Sequence, residues 1–324
     1  MASILLTGGA GYVGSVCCAE LLSLGHRVLV IDNLSTGFRD AVPDGAEFQQ
    51  LDIGNRVGMA ELLKNRHIDA VFHFAAKALI PESVANPGIF FDENVASGIA
   101  MLEVLRAAGI NHFIFSSSAA TYGQPTVIPI DEEHQKNPVN SYGETKLMLE
   151  QVLRWYASSY GWTVVAFRYF NAAGASGRCG ERHTPETHII PLLLEVAAGE
   201  RSYFQIYGDD YDTPDGSCVR DYVHVVDIAQ AHICALENAT PGVFEAYNIG
   251  SGTGFSVHEV VRAVERVTGR TLKTRIGHRR PGDPPSLVAS RHKLISQLAW
   301  KPCFASLDEI IQSAWQWKQQ LSIV

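Results

Sequence analysis

The chain has 324 residues, of which 46% are apolar and 19% charged, with a formal net charge of −8 at pH 7. This length allows one large α/β domain with a smaller partner, and the apolar fraction is enough for a folded core. No run approaches the ~20 consecutive apolar residues of a membrane span. The acidic balance argues against general nucleic-acid affinity, and the first strand follows the N-terminus without a targeting pattern. We therefore expect a cytoplasmic protein that binds neither membranes nor nucleic acids.

The first half alternates short apolar runs with longer helical stretches, which is typical of βαβ units. The predicted helices cover 12–24, 56–66, 92–109 and 142–160. The predicted strands, apolar on both sides of the pleat as in a covered parallel sheet, are Ile4–Leu6, Val28–Ile31, Glu47–Gln49, Ala70–His73, Phe113–Phe115 and Val164–Phe167. The pattern predicts an α/β fold, a doubly wound parallel-sheet Rossmann domain.

The region 172–221 is rich in Gly, Pro, Asp and Thr and contains one predicted helix, Ile190–Gly199. Two further helices are predicted at Val257–Gly269 and Leu307–Gln320. Val223–Val225 and Ala246–Ile249 are predicted strands that return to the main sheet. We expect a Rossmann domain over 1–171, with returning segments near 222–249, and a smaller α/β C-terminal substrate domain over 172–324. The ligand cleft would lie between them.

A glycine-rich loop follows the first predicted strand. Gly8 would allow the tight turn, Gly11 the approach of a pyrophosphate, and Gly14 close packing of the helix on the sheet. Asp32 follows the next strand, where a carboxylate binds both adenosine ribose hydroxyls and repels a 2′-phosphate. The loop could be glycine-rich for turn geometry alone, but the strand, helix and acid together predict dinucleotide binding, with NAD favoured over NADP. Asp52 and Ile53, after the third strand, would flank the adenine.

Tyr142 and Lys146 lie one turn apart on a predicted helix, so they share a face. An ammonium beside a phenol lowers the pKa of the phenol, and such a tyrosine can take a proton from a sugar hydroxyl. The spacing alone is a weak signal, but the run Ser116–Ser118 ends a neighbouring strand where this fold binds ligands. Ser118 could hydrogen-bond the reacting oxygen beside Tyr142.

The six cysteines form no Cys-x-x-Cys pair, which favours free thiols over disulfides or a zinc site. His73 and His224 fall on separate predicted strands without a carboxylate at ligand spacing. We interpret both as structural and expect no metal.

Several motifs along the chain are similar to those of the extended short-chain dehydrogenase/reductase superfamily, and within it to the UDP-sugar 4-epimerases. They are Thr7–Gly14, Ser116–Gly123, Tyr142–Lys146, Arg168–Asn171, Val219–Val225, Arg279–Asp283 and Trp300–Pro302. The resemblance implies an isomerase with tightly bound NAD that interconverts UDP-glucose and UDP-galactose. The C4 carbon would be oxidised, the 4-keto sugar would turn over, and its other face would be reduced.

The resemblance also implies roles for individual residues. Tyr142 would deprotonate the sugar 4-hydroxyl beside Ser118, and Lys146 would tune Tyr142 and bind the nicotinamide ribose, with Tyr169 near the nicotinamide. Further cofactor contacts are expected from Tyr12, Val13, Asn33, Phe74, Ala75, Ala76, Asn94 and Ser116. Nucleotide-sugar dehydratases of this superfamily carry Asp and Glu after the hydroxyl residue, where this chain has Ala119 and Ala120, so dehydration is disfavoured.

For the UDP-sugar, the resemblance implies that Arg220 and Arg280 bind the diphosphate, Asp283 the uridine ribose and Asn171 the sugar diphosphate. Leu287 occupies the position that gates the 2-substituent of the sugar, where tyrosine excludes N-acetyl groups and a small residue admits them. The remaining expected substrate contacts are His188, Ile189, Gln205, Ile206 and Tyr207.

The helices 92–109 and 142–160 carry more apolar residues than one face requires, and in the resembled family they pair as a four-helix bundle, so we expect a homodimer. Alternatives stay open: epimerisation of UDP-GlcNAc, a UDP-uronate or a UDP-pentose, a net redox enzyme, or a non-catalytic NAD sensor of this fold.

Overall fold

The computed structural model describes residues 1–177, 179–280, 282–304 and 306–321. Within these ranges the strands are β1 (Ser3–Thr7), β2 (Arg27–Asp32), β3 (Glu47–Gln50), β4 (Ala70–His73), β5 (His112–Ser118), β6 (Thr163–Tyr169), β7 (Asn171–Ala173), β8 (Ala175–Ser176), β9 (Cys179–Gly180), β10 (Phe204–Tyr207), β11 (Val219–His224), β12 (Phe244–Ile249), β13 (Gly254–Ser256), β14 (Thr274–Gly277) and β15 (Ser286–Leu287).

The α-helices in the described residues are α1 (Tyr12–Ser23), α2 (Arg56–Leu63), α3 (Ile80–Ala85), α4 (Pro87–Phe90), α5 (Ser97–Ala107), α6 (Ser141–Tyr160), α7 (Ile189–Ala198), α8 (Val225–Asn238), α9 (Val257–Thr268), α10 (His292–Leu298) and α11 (Leu307–Leu321). A π-helical turn, Phe91–Ala96, joins α4 to α5, and 3₁₀ turns cover Arg39–Ala41 and Ala119–Thr121. None of these described helices is both long and apolar enough to span a bilayer.

A parallel sheet in the order β12-β6-β5-β4-β1-β2-β3 forms the centre of the protein. Alternate residues of β1 enter the two cores on its faces: Ile4 and Leu6 pack with α1 and α8, and Leu5 packs with α2, α5 and α6. Strands of this kind are apolar throughout because helices cover both faces. The doubly wound α/β fold predicted from the sequence is confirmed.

Two predictions for the second half differ from the structure. β12 joins the main sheet beside β6 as expected, but β11 pairs with β7, β13 and β15 instead. The sequence after β11 was not predicted to be helical, yet α8 begins directly at Val225 because the His224 side chain accepts a hydrogen bond from Val226 N and caps the helix. α8 then packs on α1.

A separate apolar cluster holds α7, α9 and α11 together with β10, around Leu193, Val260 and Ile311. The three helices match the predictions made for this region to within two residues at each end. This layer faces the carboxyl edge of the main sheet, and a cleft separates the two.

Candidate active site

The loop between β1 and α1 has glycines at positions where a side chain would collide with neighbouring backbone atoms. Gly8 has a φ of +75°, and a Cβ there would lie 2.4 Å from the backbone nitrogen of Ala75. A Cβ on Gly14 would lie 2.2 Å from the carbonyl oxygen of Gly8. Gly11 precedes the helix and accepts from the amide of Ser15, so the first amides of α1 are directed out of the loop. Such a turn at a helix N-terminus fits a pyrophosphate.

Asp32 ends β2 beside this loop. Its carboxylate accepts hydrogen bonds from the amides of Ala10 at 3.0 Å and Leu34 at 2.8 Å. Burial raises the pKa of Asp32 although both hydrogen bonds lower it. A carboxylate has about four lone-pair sites, so two remain for ribose hydroxyls. Asp52 lies in the loop that follows β3, and its carboxylate accepts a hydrogen bond from Asn33 Nδ2 at 2.8 Å.

The side chain of Asn94 is hydrogen-bonded to the turn that follows β4. Its Oδ1 accepts from Lys77 N at 2.8 Å, and its Nδ2 donates to Lys77 O and to Thr145 Oγ1, each at 3.0 Å. The side chain thereby connects the turn after β4 to α6. Its predicted cofactor contact stays a prediction.

Tyr142 and Lys146 lie on the first turns of α6. Asn140 caps the helix through Gly143 N at 2.8 Å, and a Cβ on Gly143 would lie 2.5 Å from Ala120 O, so the helix start sits directly on the end of β5. Lys146 Nζ donates to Ser116 O at 2.7 Å and lies 5.8 Å from the centre of the Tyr142 ring. The structure therefore brings the predicted Tyr142, Lys146 and β5 serines together.

The expected lowering of the Tyr142 pKa by Lys146 and the cofactor stays a prediction, and burial acts against it. Burial raises the pKa of Tyr142 above its usual value, while a hydrogen bond with Ser118 lowers it. Burial also lowers the pKa of Lys146 to about 7, opposed by the charge of Glu150. Both groups lose hydration, and each is thereby shifted towards its neutral form.

A buried ionic network, which the sequence interpretation missed, lies beneath the cluster. Arg168 donates to Glu150 at 2.6 and 3.0 Å, and Ser117 Oγ donates to Glu150 at 2.5 Å. The side chains of Arg168 and Glu150 are each 1% exposed. Because Ser117 lies between Ser116 and Ser118, the network fixes the strand end that faces Lys146 and Tyr142.

The cleft next to this cluster has a volume of about 1030 Å³. The predicted residues that line it are Tyr12, Ser118, Tyr169, Asn171, His188, Ile189, Gln205, Ile206, Tyr207, Arg220, Arg280, Asp283 and Leu287. Ala119 and Ala120 line it too, so the dehydratase acids of the resembled superfamily have no counterpart at these two positions. Of the motif Arg279–Asp283, Pro281 lies outside the described residues.

Several polar groups in the cleft already have partners. Arg220 pairs with Asp283, and the Arg280 guanidinium stacks 4.0 Å from the centre of the Tyr207 ring. Asn171 Nδ2 donates to the carbonyl oxygen of Asp221 at 2.8 Å. These contacts orient the two arginines at one end of the cleft, where an anion could meet both.

His73 and His224 each have hydrogen-bond partners within the protein, in keeping with a structural role. His73 Nδ1 and Thr7 Oγ1 are 2.7 Å apart, and the ring of His224 stacks on Phe304. A different cluster, Glu181, His183 and His188, places potential ligand atoms within 4.8 Å of one another. The sequence interpretation missed it because these residues lack a regular ligand spacing.

Comparison with known proteins adds to this geometry. The NAD dependent epimerase/dehydratase family matches residues 4–250. A curated relative, the UDP-glucose 4-epimerase of Lacticaseibacillus casei, is 47% identical over 98% of this chain and 97% of its own. The solved UDP-glucose 4-epimerase of Brucella ovis in complex with NAD is 42% identical, with a TM-score of 0.93 and 98% of each chain covered. That of Bifidobacterium longum, in complex with NAD+ and UDP, is 35% identical, with a TM-score of 0.93 and 98% of each chain covered.

Proposed function

The chain belongs to the NAD dependent epimerase/dehydratase family, and we propose that it is an NAD-dependent isomerase that interconverts UDP-glucose and UDP-galactose. The observation that carries this proposal is the meeting of Tyr142, Lys146 and Ser118 at the carboxyl end of β5, beside the large cleft. Full-length similarity to UDP-glucose 4-epimerases supports the choice of sugar.

NAD fits the residues around the glycine loop. The close contacts of Gly8 and Gly14 leave the helix N-terminus free for the pyrophosphate, and Asp32 has acceptor capacity for the ribose hydroxyls. Asp52 and Ile53 would hold the adenine end, and Tyr169 the nicotinamide end. When bound, NAD supplies the acceptor and donor of hydride at the sugar C4 carbon.

Tyr142 acts as the general base for the sugar 4-hydroxyl and returns the proton when the 4-keto sugar has turned over. Ser118 lines the cleft and bonds to Tyr142, so it orients the hydroxyl that loses its proton. Lys146 is held by Ser116 O and would hydrogen-bond the nicotinamide ribose. Burial raises the pKa of Tyr142, and bound NAD would supply positive charge that favours the phenolate.

The arginine end of the cleft binds the diphosphate. Arg220 and Arg280 supply the charge that an anionic ligand needs in a protein of net charge −8. Asp283 sits against Arg220 and accepts from the uridine ribose, while Ile206 and Tyr207 flank the uracil.

The protein is further proposed to form a homodimer through α5 and α6. Leu102, Leu105 and Leu149 from these helices are committed to the core of their own chain. Trp155, on the outer face of α6, is 72% exposed. Large aromatic side chains are enriched in protein interfaces, so Trp155 is suited to contact the helices of a second protomer. Sedimentation or light scattering of the purified protein tests this, and a monomer at micromolar concentration would contradict it.

The proposed activity is tested by incubating the purified protein with UDP-galactose without added cofactor. Appearance of UDP-glucose, with NAD recovered from the denatured protein, is the expected result. Conversion that requires added NADH or NADPH would instead indicate a net redox enzyme. Absence of conversion with any UDP-sugar would refute the proposal.

A further inference from the structure

The segment between β9 and α7 carries a cluster of histidine and carboxylate side chains, of which only His188 is among the expected contacts of the UDP-sugar. Glu181, His183 and His188 each offer a ligand atom, and these atoms lie within 4.8 Å of one another. All three side chains also line the large cleft. Glu181 and His183 in addition border a small cavity next to Gly11 in the dinucleotide loop.

The carboxylate of Glu181 is held in place by the backbone amides of the next two residues. Its Oε1 accepts from Arg182 N at 2.8 Å and from His183 N at 2.9 Å, and it also bonds to His183 Nδ1. His188 Nδ1 lies 3.8 Å from the other oxygen, Oε2. One oxygen therefore faces each imidazole, and an ion bound between them would replace the direct hydrogen bond of His183 with Glu181.

Two poorly hydrated carboxylates make this corner of the cleft negative. The side chains of Glu181 and Glu186 are each 11% exposed, and both have histidine as an ion-pair partner. Glu186 Oε1 lies 2.8 Å from His188 Nδ1. Buried carboxylates require a compensating positive charge. Protonated imidazoles can supply it, but a cation bound by neutral imidazoles supplies it with more bonds.

We propose that Glu181, His183 and His188 form a binding site for a divalent metal ion of the zinc class. Two imidazoles and a carboxylate suit zinc, cobalt or nickel, whereas calcium and magnesium prefer oxygen ligands throughout. Three protein ligands leave a coordination position open. That position faces the cleft, since all three side chains line it. The proposal rests on the geometry of these side chains and not on the proposed epimerase activity, although His188 is also an expected contact of the UDP-sugar.

Titration of the chelator-treated holoenzyme with Co2+ tests the proposal, because bound Co2+ gives a visible d–d spectrum. The expected result is a saturable spectrum at one ion per chain, which Zn2+ displaces. Glu181→Gln and His183→Ala should each weaken Co2+ binding by more than about 100-fold, since loss of even an outer partner costs about 10- to 100-fold.

His67→Ala is the matched control: His67 also pairs with a carboxylate, Asp69, but its side chain is 79% exposed and lies outside the cluster. It should titrate like the unaltered protein. Thermal unfolding and NAD content of each variant show whether it is folded, and the isosteric Glu181→Gln guards against a loss of folding in His183→Ala. A titration without saturation, or equal binding by the folded cluster variants and the control, would overturn the proposal.

Discussion

Replacing Glu150 by leucine should destabilise the protein strongly while leaving its apolar cores intact. Glu150 accepts two hydrogen bonds from Arg168 and one from Ser117. The leucine variant leaves the Arg168 guanidinium buried with its remaining bonds to Tyr122 OH and the carbonyl of Glu132. A buried charge deprived of its counter-ion costs about 3–5 kcal/mol.

The size of the expected shift follows from the length of the chain. Unfolding entropy near the melting temperature is about 2.1 cal/mol/K per residue. For 324 residues this gives about 0.7 kcal/mol/K, so a loss of about 4 kcal/mol lowers Tm by about 6 °C. The double variant Glu150→Leu with Arg168→Met removes both charges and should recover most of that loss, because apolar pairs replace buried ion pairs at little cost.

Differential scanning calorimetry of the two single variants, the double variant and the unaltered protein, all saturated with NAD, gives these shifts directly. The single variants should melt at lower temperature than the double variant. If Glu150→Leu lowers Tm by less than about 1 °C, or if the double variant is less stable than either single variant, the idea of a coupled buried pair is refuted.

Three further outcomes are expected. Burial lowers the pKa of His73 to about 3 and of His232 to about 4. Below pH 6.5 the unfolded chain therefore binds more protons than the folded protein, and each histidine should lower the free energy of unfolding by about 2 kcal/mol at pH 5. The urea concentration at the midpoint of unfolding should fall accordingly between pH 7 and pH 5. An unchanged midpoint would contradict this expectation. Gly14→Ala should lose bound NAD, because its Cβ would meet Gly8 O at 2.2 Å, whereas Gly88→Ala, with open space around it, should retain it. Leu287→Ser should raise kcat/KM for UDP-GlcNAc relative to UDP-glucose, and an unchanged ratio argues against Leu287 as the gate.

The main sheet could be predicted because its strands are apolar on both sides and separated by helices and glycines. β1 and β4 show this most clearly, since each is buried at every position. β11 was assigned to the wrong sheet because strand pairing is a long-range property that a local run of apolar residues does not reveal. α8 was missed because β-branched residues continue across the boundary at Val225, where a histidine cap starts the helix.

At the site, the neighbourhood of Tyr142, Lys146 and Ser118 followed from helix spacing and the end of a parallel strand. The burial of both groups, which raises the pKa of Tyr142 and lowers that of Lys146, did not follow, because depth of burial is invisible in the sequence. The pairing of Glu150 with Arg168 was missed for a similar reason: it joins a helix to a strand 18 residues later in the chain.

In the proposed mechanism, Tyr142 is the base that removes the proton from the sugar 4-hydroxyl. Steady-state conversion of UDP-galactose by Tyr142→Phe tests it most directly, with Tyr160→Phe as the control, since Tyr160 lies at the far end of the same helix and is 52% exposed. We expect Tyr142→Phe to keep its NAD but to lose about 10²- to 10⁴-fold in kcat, and we expect Tyr160→Phe to keep the kcat of the unaltered protein. Conversion by NAD-loaded Tyr142→Phe at the rate of the control would contradict it.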